Sequence, residues 1–339
     1  MRNMSEKINK SDYGMLMFAA IPIVVLFIVP LFFALKLVFT TPVKSVDGQS
    51  VYTNGTYDYV YDSGSNRFIE MDGDKETGNQ LKPYDIKSDS QYKEKSKIGV
   101  QNLVRFFTTH KYRVTIKNTL RLVLPAAVIQ FVLAFSMAYF LRGKVKGKFV
   151  YHTLIIFPLT LGSLIIAGGM TNFFSATGWF NMILMKMGII KEPLQILYTY
   201  WGTLIAVVIG GVPFLFSGFL PICEGIDPNL EIAAKTLGAN GFVTFFKIFL
   251  PLAIPSLLSI ISLNMVLNMA TYPSAVLVGD PANTTRVLAV AAFEEFRVNM
   301  DYNMAATVAF VLVALQFCIL GITELVRKQF YIGYGGSFK

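Results

Sequence analysis

Six stretches of this chain run, without a charged side chain, for the length of a bilayer crossing. They are Gly14–Leu35, Leu122–Leu141, Phe149–Phe174, Leu194–Cys223, Ile248–Gly279 and Tyr302–Thr323, and none contains Asp, Glu, Lys or Arg. A bilayer core needs roughly 20 apolar residues per helix. Each charge at its centre would cost at least about 2.5–3.5 kcal/mol. The pattern predicts an all-α integral membrane protein with six transmembrane helices. The first stretch follows basic residues as a signal peptide does, but it exceeds the roughly 7–15 apolar residues of such a segment, and no small-residue cleavage site follows. It is expected as a retained helix.

The pattern changes after the first helix. Over 40–97 the chain turns polar, with short β-prone runs at Val51–Thr53, Thr56–Tyr61 and Arg67–Met71. Asn54-Gly55 lies between the first two, and both residue types tolerate positive φ, so a two-residue hairpin turn is expected. A second turn falls at Ser63–Asn66. The reading is a small extracellular β insertion of three strands, followed by a polar stretch to about Lys97. The division is then 1–39 for the N-terminal tail and first helix, 40–97 for the insertion, 98–327 for a core of five helices, and 328–339 for the tail.

Composition agrees with the pattern: 54% of residues are hydrophobic, only 15% are charged, and mean hydropathy is +0.52. Soluble domains carry about 25% charge. Basic residues set the orientation. Arg2, Lys7, Lys10, Arg142, Lys144, Lys146, Lys148, Lys235, Lys247, Arg327, Lys328 and Lys339 fall on one side; the short loops opposite hold Lys186, Lys191, Arg286 and Arg297. Positive residues stay inside, so both termini are expected in the cytoplasm of a multi-pass cell-membrane protein. Arg113, Lys117 and Arg121 run against this, but they end a long loop of the kind that crosses regardless of charge. Cys223 and Cys318, in or beside apolar runs, supply neither a disulfide framework nor a metal site.

The loop 224–251 is the most informative stretch. Asp227-Pro228 reads as an N-cap with proline at the first helical position. The helix carries Ala233 and Ala234 and closes near Gly238, a frequent C-terminal breaker. A second amphipathic stretch, Phe242–Phe249, leads into the fifth span. Here the chain resembles the binding-protein-dependent permeases of ABC importers, whose signature is Glu-Ala-Ala, three residues, Gly, nine residues, then Ile-x-Leu-Pro. Ala233, Ala234, Gly238, Ile248, Leu250 and Pro251 match that spacing; Ile232 stands at the glutamate position, and Glu231 lies one residue earlier. One residue rotates a helical side chain by about 100°. The resemblance covers about 98–325. Gln101–Phe106 and Asn118–Leu120 look like the lead into the first shared helix. Gly178–Asn181, Pro193–Thr199 and Leu237–Ala239 resemble the polyamine-type branch.

The resemblance implies a non-catalytic permease subunit of an ATP-driven importer, with Glu231, Ile232, Ala233, Ala234, Gly238, Ala239, Ile248, Leu250 and Pro251 coupling it to ATPase subunits. Its other implied partners are an extracellular solute-binding protein and a second permease, here expected to be a paralogue with the glutamate intact. ATP would be bound by the partner, and the residues agree: no GxxxxGK[ST] loop exists in the chain. No cofactor, metal or nucleic-acid partner is expected beside membrane lipid. Asn264, Asn268 and Tyr272 follow one another at four-residue intervals, which puts them on one helical face and makes them the expected substrate pathway; the alternative is that the asparagines bridge neighbouring helices. The substrate is expected to be a small polar metabolite such as a polyamine, with a carbohydrate or phosphonate as alternatives. A secondary transporter would place an ionisable group at mid-membrane, and the spans have none. An intramembrane hydrolase needs a paired nucleophile and base, whereas His110 and His152 flank opposite ends.

Overall fold

The computed structural model describes residues 24–42, 50–62, 65–72, 75–83, 86 and 91–332. Residues 14–23 of the expected first span, the basic residues before it and the tail beyond 332 lie outside them. The chain divides into two compact units, 1–108 with 300–310, and 109–299 with 311–339.

In the first unit a π-helical turn, Val24–Ile28, leads into α1 (Val29–Val38), whose ten described residues are fewer than a crossing requires. The chain then enters β1 (Thr40–Pro42), which pairs antiparallel with β7 (Ser96–Ile98). The segment between them therefore leaves and returns on neighbouring strands. It contains an antiparallel sheet of β2 (Tyr52–Thr53), β3 (Asp58–Asp62), β4 (Arg67–Asp72), β5 (Lys75–Leu81) and β6 (Lys93–Glu94), in the order β5-β4-β3-β2-β6. Five strands stand where three are expected. β5 has the sequence KETGNQL, polar and exposed nearly throughout, so it carries no apolar alternation to reveal it. The β2–β3 turn also differs. Thr53 pairs with Asp58, leaving a four-residue loop, because the Asn54 Oδ1 accepts from the backbone N–H groups of Thr56 and Tyr57 at 2.9 and 2.8 Å. That side-chain mimic of a backbone turn widens the loop.

The sheet packs on Tyr59, Phe68 and Ile86, with Tyr52, Tyr61, Leu81 and Tyr92 around them. A bulge between Ile69 and Met71 brings Thr77 and Asn79 of β5 over Glu70. Glu70 accepts from the Tyr59 hydroxyl at 2.9 Å, Thr77 Oγ1 at 2.9 Å and Asn79 Nδ2 at 3.2 Å. The Tyr59 bond and its two neighbours hold this carboxyl below its usual range; burial, with Glu70 alongside, pushes Tyr59 up. α2 (Gln101–Thr108) completes the unit. Its buried Asn102 donates to the carbonyls of Val38 and Thr40 at 3.1 and 2.9 Å, and Arg105 pairs with Asp301 at 2.9 Å.

The second unit is helical: α3 (His110–Leu141), α4 (Lys148–Phe174), α5 (Trp179–Lys186), α6 (Tyr200–Gly225), α7 (Pro228–Thr236), α8 (Gly241–Thr244), a π-helical turn Phe245–Phe249, α9 (Leu250–Met269), α10 (Pro273–Leu277), α11 (Leu288–Arg297) and the later turns of α12 (Tyr302–Ile332). Among the described residues five stretches are long and apolar enough to cross a membrane, built on α3, α4, α6, α9 and α12. α6 is the most enclosed of them and α4 the least. Leu215, Phe216 and Phe219 of α6 pack against Ala134, Phe135 and Ala138 of α3 and against Ala253 and Leu257 of α9, small residues letting the backbones approach. Prolines at 125, 158, 213, 221 and 255 sit inside these helices, as membranes permit. α4 is broken at Gly162, whose φ of 72° and ψ of 159° no helix contains.

Two apolar runs are longer than the helices they form. The run from Leu194 becomes helical only at Tyr200, since Tyr198 takes a φ of 58° and its N–H donates to the Val278 carbonyl at 2.8 Å. The run to Gly279 stops being α9 at Met269. Ala270 and Thr271 donate back to the Leu267 and Asn268 carbonyls in a tighter turn, both at 3.2 Å, and α10 starts afresh with Pro273 at its first position.

Candidate functional site

The turn between α6 and α9 is built by its caps. The Asp227 Oδ1 accepts from the Asn229 N–H at 2.9 Å, and Pro228 opens α7. At the other end Gly238, at a φ of 88°, donates to the Lys235 carbonyl, while Ala239 donates to that of Ala234, both at 3.0 Å. This is a Schellman closure, and a side chain at Gly238 would be strained. Asn240 then caps α8 through the Val243 N–H at 2.8 Å.

The same turn is tied to the bundle by charge. Arg142, just past α3, donates to both carboxylate oxygens of Glu231, at 2.5 and 2.9 Å. Its guanidinium also lies over the rings of Tyr139 and Phe249, at 4.2 and 4.3 Å. A fork on a carboxylate, set against two aromatic rings that meet edge to face, is a position that lysine cannot fill. Lys148 pairs with Glu224 close by. Glu231 thus points inward, whereas Ile232 and Ala233 are exposed and Ala234 is buried. Leu230, Ile232, Leu237, Phe242 and Phe246 make an exposed apolar surface, with Leu237 89% exposed. Ile248 lies in the π-helical turn, and Leu250 and Pro251 open α9. Sequence reading missed Arg142. Its only signal was a place in the basic run 142–148, where it read as one anchor among four.

In the middle of the bundle Asn264 and Asn268 of α9 are buried, and each donates through Nδ2 to the Gln130 Oε1, at 2.7 and 2.8 Å. Gln130 Nε2 donates to the Val207 carbonyl at 2.7 Å. A backbone carbonyl can only accept, so this bond fixes the orientation of all three amides. Both asparagines also line a cavity of about 180 Å³ with Gly162, Ser163, Gly211 and Ser274. No charged residue lines it. Tyr272 is not on their face: with α9 ended, its ring packs on Phe293 at 4.4 Å. Gln130 was not foreseen, being one polar residue in an apolar run.

At the opposite end of the spans lies an ionic cluster. Glu294 accepts from Lys111 at 2.9 Å and from Arg286 at 2.7 and 2.9 Å, and the Arg286 Nη1 donates to the Lys111 carbonyl. Buried Glu295 accepts from the Tyr112 hydroxyl at 2.9 Å. Burial pushes Glu294 up, but the bonds from Lys111 and Arg286 outweigh it and leave the carboxyl below its ordinary range. Among the described residues no group of three or more His, Cys, Asp or Glu is placed to hold a metal.

A bundle of apolar spans, a capped helix on a turn between two of them and an uncharged cavity that two asparagines enter among apolar residues are the features of a membrane transport subunit. The chain belongs to the family of binding-protein-dependent transport system inner membrane components, whose profile matches residues 130–330. It is 27% identical, over 63% of its length and 82% of the relative's, to a probable sulfate transport system permease protein cysT of Prototheca wickerhamii. It is 28% identical, over 70% of its length and 79% of the relative's, to the spermidine/putrescine transport system permease protein PotB of Haemophilus influenzae. Its fold is similar to a chain of a bacterial alginate ABC transporter solved with a periplasmic protein bound to an alginate pentasaccharide (TM-score 0.61, 19% identity, 68% of this chain and 83% of that one). The chain is therefore a multi-pass, non-catalytic permease subunit of an ABC-type importer, a class that works with ATPase and substrate-binding protein partners.

Proposed function

We propose that this subunit passes a small polar solute of the polyamine type across the cell membrane, and that α7 is where partner ATPase subunits, which bind the ATP, move it. In this reading both termini and the 224–251 turn are cytoplasmic, the 40–97 insertion is outside, an external binding protein delivers solute, and a paralogous permease completes the pathway. Asn264 and Asn268 line that pathway.

The observation that carries the reading is the α7 surface: exposed Ile232, Ala233 and Leu237 on a helix closed at both ends and braced by Arg142. Small and apolar residues there admit a close partner, and the brace gives the partner something rigid to move. Ala233→Arg keeps helix propensity and projects a charge from an exposed site. It is expected to abolish co-purification of the ATPase while the permease stays in the membrane. Co-purification at the wild-type level overturns the reading.

A sulfate substrate is the second reading, favoured by the cysT relative and its coverage. Uptake of labelled putrescine and labelled sulfate by vesicles bearing the complete complex separates the two. ATP-dependent uptake of sulfate alone overturns the polyamine assignment.

A further inference from the structure

We propose that α5 lies in the plane of the membrane interface and anchors the end of α4 to the lipid surface. α5 follows α4 after a tight turn at Gly178, where an added Cβ would sit 2.4 Å from the Phe173 carbonyl oxygen. It is held there by Asn181, which is fully buried. The Asn181 Nδ2 donates to the carbonyls of Phe174, Ser175 and Leu194 at 3.3, 2.9 and 3.2 Å, and its Oδ1 accepts from the Leu194 N–H at 2.9 Å. The Phe180 ring packs on that of Phe174 at 4.9 Å. One side of α5 is thus fixed to the protein.

The other side has no partner among the described residues. Trp179, Met182, Ile183 and Lys186 fall at i, i+3, i+4 and i+7, one helical face, and all four are exposed, Trp179 by 71%. Met187 and Ile189 continue the apolar surface beyond the helix end. Three apolar residues ending in a lysine make a face that suits the boundary between acyl chains and headgroups. Tryptophan is favoured at that level, and lysine reaches from it to phosphate. Continuity argues for lipid over a protein occupant: Phe173, Leu164 and Ile165 of α4, the least enclosed span, are exposed on the helix that leads there.

The chain has two tryptophans, Trp179 and Trp201, so fluorescence isolates the site. The Trp201→Phe permease, in its complex with the ATPase, is reconstituted in phosphatidylcholine vesicles with bromine placed high or low on the acyl chains, and the emission of the same complex carrying Trp179→Phe as well is subtracted so that the partners' tryptophans cancel. Trp179 emission is expected to fall severalfold more with the high bromine than with the low one, and to resist iodide in the water. Quenching by iodide with none by bromolipid overturns the proposal, as does stronger quenching by the low bromine. Indifference to both quenchers also overturns it, because a protein then covers the face. If Trp201→Phe does not fold, the difference between wild-type and Trp179→Phe emission reads the same ring.

Discussion

Gln130 commits three hydrogen bonds to three partners, and two of those partners have no substitute for it. Gln130→Leu leaves both asparagine amides without their acceptor inside the bundle, while the Val207 carbonyl keeps its place in the helix, and each orphaned amide costs roughly 1–3 kcal/mol. The variant is expected to lose thermal stability in detergent, measured by a melting assay. Gly211 lies under the same side chain; a Cβ there would stand 2.1 Å from the Gln130 Nε2. Gly211→Ala is expected to cost about 1–3 kcal/mol by overpacking. Measured against the single Gln130→Ala, the double variant Gly211→Ala/Gln130→Ala should show little further loss, since the side chain that a Cβ at 211 would meet is gone. Glu294 gives a pH signature. Its folded carboxyl titrates below its unfolded value of about 4.3, so its stabilisation is present above that value and is lost as pH falls through the folded one. Glu294→Gln should therefore melt earlier than wild type at neutral pH, with the difference vanishing in acid. At this scale the sequence was only half legible. Four-residue spacing placed Asn264 and Asn268 on one face, but the acceptor that gathers them lies 134 positions from Asn264, and local periodicity says nothing of such a distance.

Helix ends were read well where a cap announced them and poorly where tertiary contacts decided. Asp227-Pro228 and Gly238 bracket α7 in the structure as their chemistry dictates. The start of α6 and the end of α9 were missed, because apolar residues run on past both and only backbone geometry at Tyr198 and Ala270 stops the helices. β5 was missed for the converse reason, its strand being set by pairing with β4 and not by its own residues. One prediction belongs to this scale. Arg142→Lys keeps the charge but cannot bridge both Glu231 oxygens with a planar fork while resting against Tyr139 and Phe249. On the reading of α7 as the coupling helix, the variant should still bind the ATPase but transport less solute per ATP hydrolysed. Equal wild-type and variant ratios in proteoliposomes would speak against it.

For the molecule as a whole, apolar runs alone were enough to read a membrane bundle, and a short spaced signature was enough to read its family. Ile232 at the signature's glutamate position leads us to expect a different permease opposite this one, and native mass spectrometry of the purified complex should record two permease masses. The Arg142 brace has a mechanical corollary. A displacement imposed on α7 reaches α3 through two salt-bridge bonds before any bending of α6 is required, and it reaches the π-helical turn through the Phe249 ring. On the reading of α7 as the coupling helix, the turn is a handle with two separate attachments to the bundle, so that a pull on it is expected to bear on α3 and α9 together.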